Sequence, residues 1–169
     1  MATSRELLLI DADVLIDYAV AEVGILGLVT RHVGVVHVVE SVLSEVPRLR
    51  PSDCDLLGIQ IVQPSLGQLL QAGENRGRLS FNDRLSLIVA HDAGWTCVSN
   101  DRALRKACGG YQVAVWWGLE LMLALIRIRE LKGESALAVA QAIHESNPRH
   151  ITAEILGRFA REVERALSE

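Results

Sequence analysis

Short apolar runs separated by helix-length segments predict an α/β fold, with a mostly parallel central sheet and helices on both faces. Three observations carry the prediction. Apolar runs at 7–10, 35–39, 59–62 and 95–99 alternate with helical stretches, the rhythm of strand–helix–strand units rather than of hairpins. The first of these runs leads directly into Asp11 and the last reaches Asp101 after Asn100, so that both read as buried strands ending at a polar edge. Beyond Trp117 the pattern becomes all-helical, with Leu119, Met122, Leu123 and Ile126 at i, i+3, i+4 and i+7. The chain therefore divides into an α/β unit over 1–117 and a C-terminal helical extension over 118–169, packed on the same domain.

The elements follow in order. Leu7-Leu8-Leu9-Ile10 is the first strand, and 13–31 is helical in one or two pieces, loosened at Gly24 and Gly27. Gly34 precedes the β-branched run Val35-Val36-His37-Val38-Val39, a second strand. A helix over 41–49 is ended by the Pro47 to Pro51 region. Ile59-Gln60-Ile61-Val62 is a third strand closed by Pro64, and 65–74 is helical, followed by a turn bracketed by Gly73 and Gly77. A helix opened by Ser80 and Asp83 runs to Ala93 and stops at Gly94, and 95–99 is the fourth strand. Asp101 opens a short helix to Cys108, stopped by Gly109-Gly110, before a final edge strand at Val113-Ala114-Val115. Helices at 135–145 and from Thr152, with Ile155, Phe159, Val163 and Leu167 on one face, complete the tail.

At 169 residues, half of them apolar, the chain suits one well-buried domain. A net charge of −4 gives no global nucleic-acid footprint, although fifteen of the seventeen basic residues are Arg, whose forks suit phosphate oxygens. Arg richness can equally reflect base composition. Cys54, Cys97 and Cys108 show no metal-ligand spacing, which fits a reducing compartment. The longest apolar stretch, 113–126, is interrupted by Glu120 and falls short of a membrane span. No signal peptide is visible, and the expectation is a soluble, cytoplasmic protein. The five histidines form no HxH or HExxH unit, and no Gly-rich phosphate loop is present.

Four carboxylates, Asp11, Glu45, Asp83 and Asp101, stand where a parallel α/β fold gathers residues at the carboxyl ends of its strands. Each also has a plain structural role open to it. Asp11 and Asp101 can cap helices, Asp83 completes a capping box with Ser80, and Glu45 can be a solvated helix residue. Taken together they would repel, by roughly 4 kcal/mol per pair at about 4 Å and an effective dielectric of about 20. Either some hold protons or a divalent cation sits among them.

The grouping resembles the PIN-domain family, the nuclease fold of many bacterial and archaeal VapC-type toxins. The resemblance rests on Leu8-Leu9-Ile10-Asp11-Ala12-Asp13-Val14-Leu15-Ile16, on 39–46 with Glu45, on 79–90 with Asp83 and continuing through Gly94, and on 97–106 with Ser99 and Asp101. The last two are the most specific: an Asp-headed helix, a Gly stop, a short strand and a Ser-x-Asp. Resemblance covers about 7–117 and implies a PIN-like three-layer α/β/α fold. It implies that Asp11, Glu45, Asp83 and Asp101 bind Mg²⁺ or Mn²⁺ and cut RNA by a metal-activated water. It also implies that Ser99 orients a carboxylate or a metal-bound water. Asp13 departs from the Asn or Ser common at its place; it caps the first helix or adds a ligand. Arg84, Arg102, Arg105 and Lys106 flank the acids as candidate phosphate contacts, or as exposed helix-surface cations.

A toxin-like nuclease implies a cognate antitoxin, and the apolar faces of the helices at 13–31 and 41–49 (Val14, Leu15, Val20, Ile25, Leu26, Leu28) offer it a surface, or form a homodimer. Two other readings stay open. Ile10-Asp11-Ala12-Asp13 also fits the opening of a haloacid-dehalogenase-type phosphohydrolase, with Asp11 as nucleophile and Asp13 as general acid. A non-catalytic PIN-like module binding RNA or protein is the other. Trp95, Trp116 and Trp117 read as core or interface residues rather than stacking platforms.

Overall fold

In the computed structural model, which describes residues 4–74 and 77–169, the run Leu8-Leu9-Ile10 has no exposed surface. Successive strand side chains point to opposite faces, so both faces of this strand, β1 (Glu6–Ile10), are covered. It is followed by α1 (Ala12–Ala21), α2 (Gly24–His32), β2 (Gly34–Val39), α3 (Glu40–Leu43), α4 (Pro51–Leu57), β3 (Gln60–Val62), α5 (Leu66–Glu74) and α6 (Phe81–Ala93). Then come β4 (Thr96–Val98), α7 (Arg102–Gly110), β5 (Val115–Trp116), α8 (Glu120–Arg127), α9 (Gly133–Ser146) and α10 (Ala153–Ser168). The strands form one five-stranded sheet in the order β3-β2-β1-β4-β5, every pair parallel. Parallel neighbours need crossover connections, which the helices supply. The result is the expected α/β architecture, a parallel sheet flanked by helices, consistent with three α/β/α layers.

Two glycines are fixed by geometry. A Cβ on Gly34 would stand 2.2 Å from the Glu6 carbonyl oxygen, so only glycine lets β2 start against β1. Gly94 ends α6 in the left-handed region at φ 70°, the predicted stop.

Three local expectations are corrected. The helix expected over 41–49 is a single turn, and Glu45 stands in the turn after it. Pro47 has no N–H to give the Leu43 carbonyl and disfavours helical geometry at Val46. A helix not foreseen, α4, begins at Pro51 as its first residue, and the Asp53 carboxylate accepts from the Arg50 N–H at 2.8 Å. The last strand lies at Val115–Trp116 rather than 113–115. Gln112 takes φ 58°, so Val113 is still leaving a turn, and the β4 side supplies its N–H groups to the Ala114 and Trp116 carbonyls, at 2.8 and 3.0 Å.

The apolar residues assigned to a partner surface are mostly used by the fold itself. Val14, Leu15, Ile25 and Leu26 are buried, and of that set Val20 is exposed. Part of their cover comes from the C-terminal helices, since α9 packs on α1 and α8 on α2, while α10 packs on both α8 and α9. The Tyr18 hydroxyl, fully buried, donates to the Gly118 carbonyl at 2.7 Å. Among the described residues no helix is long and apolar enough to cross a membrane. The three cysteines are free and buried.

Candidate functional site

Because the chain winds outward from β1 through β2 to β3, then returns to β4 on the other side, the topology reverses between β1 and β4. Ligands in open α/β sheets bind beyond the carboxyl ends of the strands at such a point. Asp11 follows β1 there, and Ser99-Asn100-Asp101 follow β4. The Asp11 N–H donates to the Val98 carbonyl at 3.1 Å, stitching the two strand ends together.

A chain of hydrogen bonds runs across this gap. Asp11 caps α1, its Oδ1 accepting from the Val14 N–H at 3.1 Å, while its Oδ2 accepts the Ser99 hydroxyl. Ser99 Oγ in turn accepts from the Asp101 N–H at 3.1 Å, and Asp101 Oδ1 caps α7 by accepting from the Leu104 N–H at 2.8 Å. The capping roles are therefore real for both acids, and they hold the carboxylates at the strand ends rather than competing with a site. Burial raises the Asp11 carboxyl to about 7, against the pull of its Ser99 and Val14 hydrogen bonds and with the charges of Asp13 and Asp83 adding to it.

Asp83, in the first turn of α6, is raised above the ordinary carboxylate range by burial, with Asp101 and Asp13 adding. Ser80 caps the same helix, accepting from the Asp83 N–H at 3.1 Å. Asp11, Asp13, Asp83 and Asp101 thus share one field. Glu45 is tied to the first turn of α6, at the residue before Asp83, and does not join the charges acting on Asp11 or Asp83. Its Oε1 accepts from Asn82 Nδ2 at 2.7 Å, and Asn82 Oδ1 accepts the Ser41 hydroxyl at 2.7 Å. Asn82 had not been singled out in the sequence; its only signal is a place beside Asp83 in a helix's first turn.

The cations separate into two kinds. Arg84 donates from Nε to the Ala72 carbonyl at 2.6 Å and from Nη1 to the Leu79 carbonyl, which fastens it to the ends of the α5–α6 connection. Arg105 is half-buried, donating to the Ser99 carbonyl at 3.0 Å and lying 3.5 Å over the Trp117 ring. Arg102 and Lys106 are exposed on α7. Asn100 Oδ1 accepts from the Gly118 N–H at 2.9 Å, tying the loop after β4 to the loop before α8.

Carboxylate oxygens are hard donors that suit Mg²⁺ or Mn²⁺. Burial is the first cause that raises Asp11 and Asp83, neighbouring carboxylates add to it, and among the described residues no cation figures in the charges acting on either. Among the described residues no three His, Cys, Asp or Glu side chains converge into a group able to hold an ion. Any ion here would therefore be held by one or two carboxylates and several waters, the usual manner of Mg²⁺, and not by a closed protein cage.

No family model, no curated protein and no solved structure matches this chain.

Proposed function

We propose that the protein is a PIN-like ribonuclease dependent on Mg²⁺ or Mn²⁺, and the toxin of a toxin–antitoxin pair. The observation that carries the reading is the Asp11–Ser99–Asp101 hydrogen-bond chain at the sheet's switch point, with Asp83 and Asp13 in the same field. One or two of Asp11, Asp83 and Asp101 would hold the ion directly and the rest through its waters, with Glu45 tied to the start of α6 through Asn82. When bound, the ion supplies a water of lowered pKa and neutralises phosphate charge.

The chain's own residues do the rest. Ser99 fixes the rotation of the Asp11 carboxylate by donating to it, and fixes the Asp101 backbone by accepting from it. Arg105 braces the loop through the Ser99 carbonyl. Arg102 and Lys106, exposed on α7 just after Asp101, take phosphates beside the scissile one. An antitoxin would cover the acids with a basic side chain, and a homodimer belongs to the same proposal.

The test is cleavage of single-stranded RNA with Mg²⁺ or Mn²⁺ added, stopped by EDTA. Asp11→Asn and Asp101→Asn should lose cleavage and keep the fold. Full activity in either variant at saturating metal refutes the reading, and RNA bound but never cut by the wild type points to the non-catalytic module instead. Growth arrest on expression, relieved by Asp101→Asn, tests the toxin role.

A further inference from the structure

Past Asp101 the acidic site opens into a groove of about 870 Å³, walled by the start of α7, the segment from Trp117 to Leu123, and α10 with the residues just before it. That is at the upper end of the size that encloses a ligand of drug size, about 300–1,000 Å³, and so suits a short stretch of chain better than a single small metabolite.

Trp117 lines the groove with 43% of its surface exposed, so of the two roles expected for it, core or interface, it does not fill the first. The Arg105 guanidinium lies against one face of its ring. The same Arg105 holds the Ser99 carbonyl, and Asn100 holds Gly118, so the indole is fixed relative to the acids by two independent links. A planar ring braced from behind and open to a groove is what base stacking uses, and it tolerates any base because each has a π-face.

The charges in the groove are sorted. Glu154 pairs with Arg158 at 3.4 Å and Glu162 with Arg165 at 3.0 Å, while the Glu120 carboxylate accepts the Trp117 N–H. The Arg102 and Arg149 side chains have no ion pair or hydrogen bond among the described residues. Acids and arginines balance in number along the groove, but these carboxylates already have partners, so the Arg102 and Arg149 forks are the groups free to take phosphate oxygens.

The geometry points to a track for single-stranded RNA: the groove takes the nucleotides adjoining the phosphate cut at the acidic site, one base stacks on Trp117, and phosphates pair with Arg102 and Arg149. This rests on the ribonuclease reading of the acids. It assigns the C-terminal helices a role in substrate binding, with Arg105 as a positioning residue that carries the indole.

The test is fluorescence anisotropy of a labelled single-stranded oligoribonucleotide in EDTA, where binding is read without cleavage, across a salt series. Trp117→Ala should weaken binding by roughly five- to a hundredfold, the range of one stacked base, and Trp117→Phe should restore most of it. Arg149→Ala should weaken binding and reduce the salt slope by about one. Arg161→Ala, on α10 but outside the groove, should bind as the wild type does. Circular dichroism melts confirm that each variant folds, and a Trp117→Ala that fails to fold leaves Arg102→Ala and Arg149→Ala, both expected to weaken binding, to decide. Affinity unchanged in the folded groove variants overturns the track, as a groove serving a protein segment would give. If metal-dependent cleavage persists with that result, the track alone fails; if the wild type neither binds nor cuts the RNA, the ribonuclease reading fails with it.

Discussion

Replacing the Asp11 carboxylate with its neutral amide should stabilise the protein in the absence of metal. Asp11 is 6% exposed, and its carboxyl rises from 3.8 to about 7 on folding. The folded state therefore holds this proton more tightly than the unfolded chain. Stability from this group is full below about pH 4 and is lost as pH rises toward 7, since the unfolded chain releases the proton first. A shift of about three units corresponds to about 4 kcal/mol. Asp11→Asn removes that loss, and Asn can still cap α1 through its carbonyl oxygen. It weakens the bond from Ser99, at about 1.5–2 kcal/mol for a hydrogen bond to a charged group. The net expectation at pH 7.5 is a gain of about 2 kcal/mol, or roughly 4–8 °C in Tm for a chain of this size. Urea unfolding in EDTA from pH 4 to 8 reads it: the two curves should meet near pH 4 and diverge upward. A variant no more stable than the wild type at pH 7.5, or one whose curve stays parallel to it throughout, would refute the claim that Asp11 is buried without compensation.

Arg84→Ala should cost about 1–3 kcal/mol by orphaning the Ala72 and Leu79 carbonyls, and it should leave RNA affinity unchanged; a loss of affinity with unchanged stability would make Arg84 a phosphate contact. Asn82→Ala should release Glu45 and lower cleavage about tenfold or more while the melting curve holds; equal rates would remove Glu45 from the site. Asn147→Ala deletes the Nδ2 donor 3.0 Å from Asp17, whose carboxyl burial already raises to about 6. Its pKa should climb further in a carbon-detected NMR titration, and stability should fall more steeply between pH 4 and 6 than in the wild type, because the folded state gains affinity for the proton.

The strand ends were legible because their signals are local. An apolar run stopped by Asp11, and another stopped by Ser99-Asn100-Asp101, mark the carboxyl ends of parallel strands without reference to anything distant. Glu45 was misplaced because the stripe of Val42 and Val46 suggested a longer helix, whereas Pro47 decides the outcome one turn earlier. Pro51 was read as the end of one helix when it begins the next. Asn82 and Asn100 act through side-chain bonds to residues 37 and 18 positions away, for which no periodicity exists. The groove is less legible still: Trp117 and Arg149 meet on it only because α8, α9 and α10 fold back over the sheet domain.

The bond from Asn147 to Asp17 spans 130 residues, and α9 lies on the first helix of the chain. During synthesis at about 5–20 residues per second, α1 waits roughly 7–26 seconds for the segment that covers it. The first helix leaves the ribosome early, with an apolar flank and a buried-to-be carboxylate that stay uncovered until α9 has been made. Contacts this distant in sequence also slow the search for the native state, since the long loop must close before they add any stability. In the interval between emergence and closure that apolar flank is open to solvent, the condition under which partly folded chains aggregate.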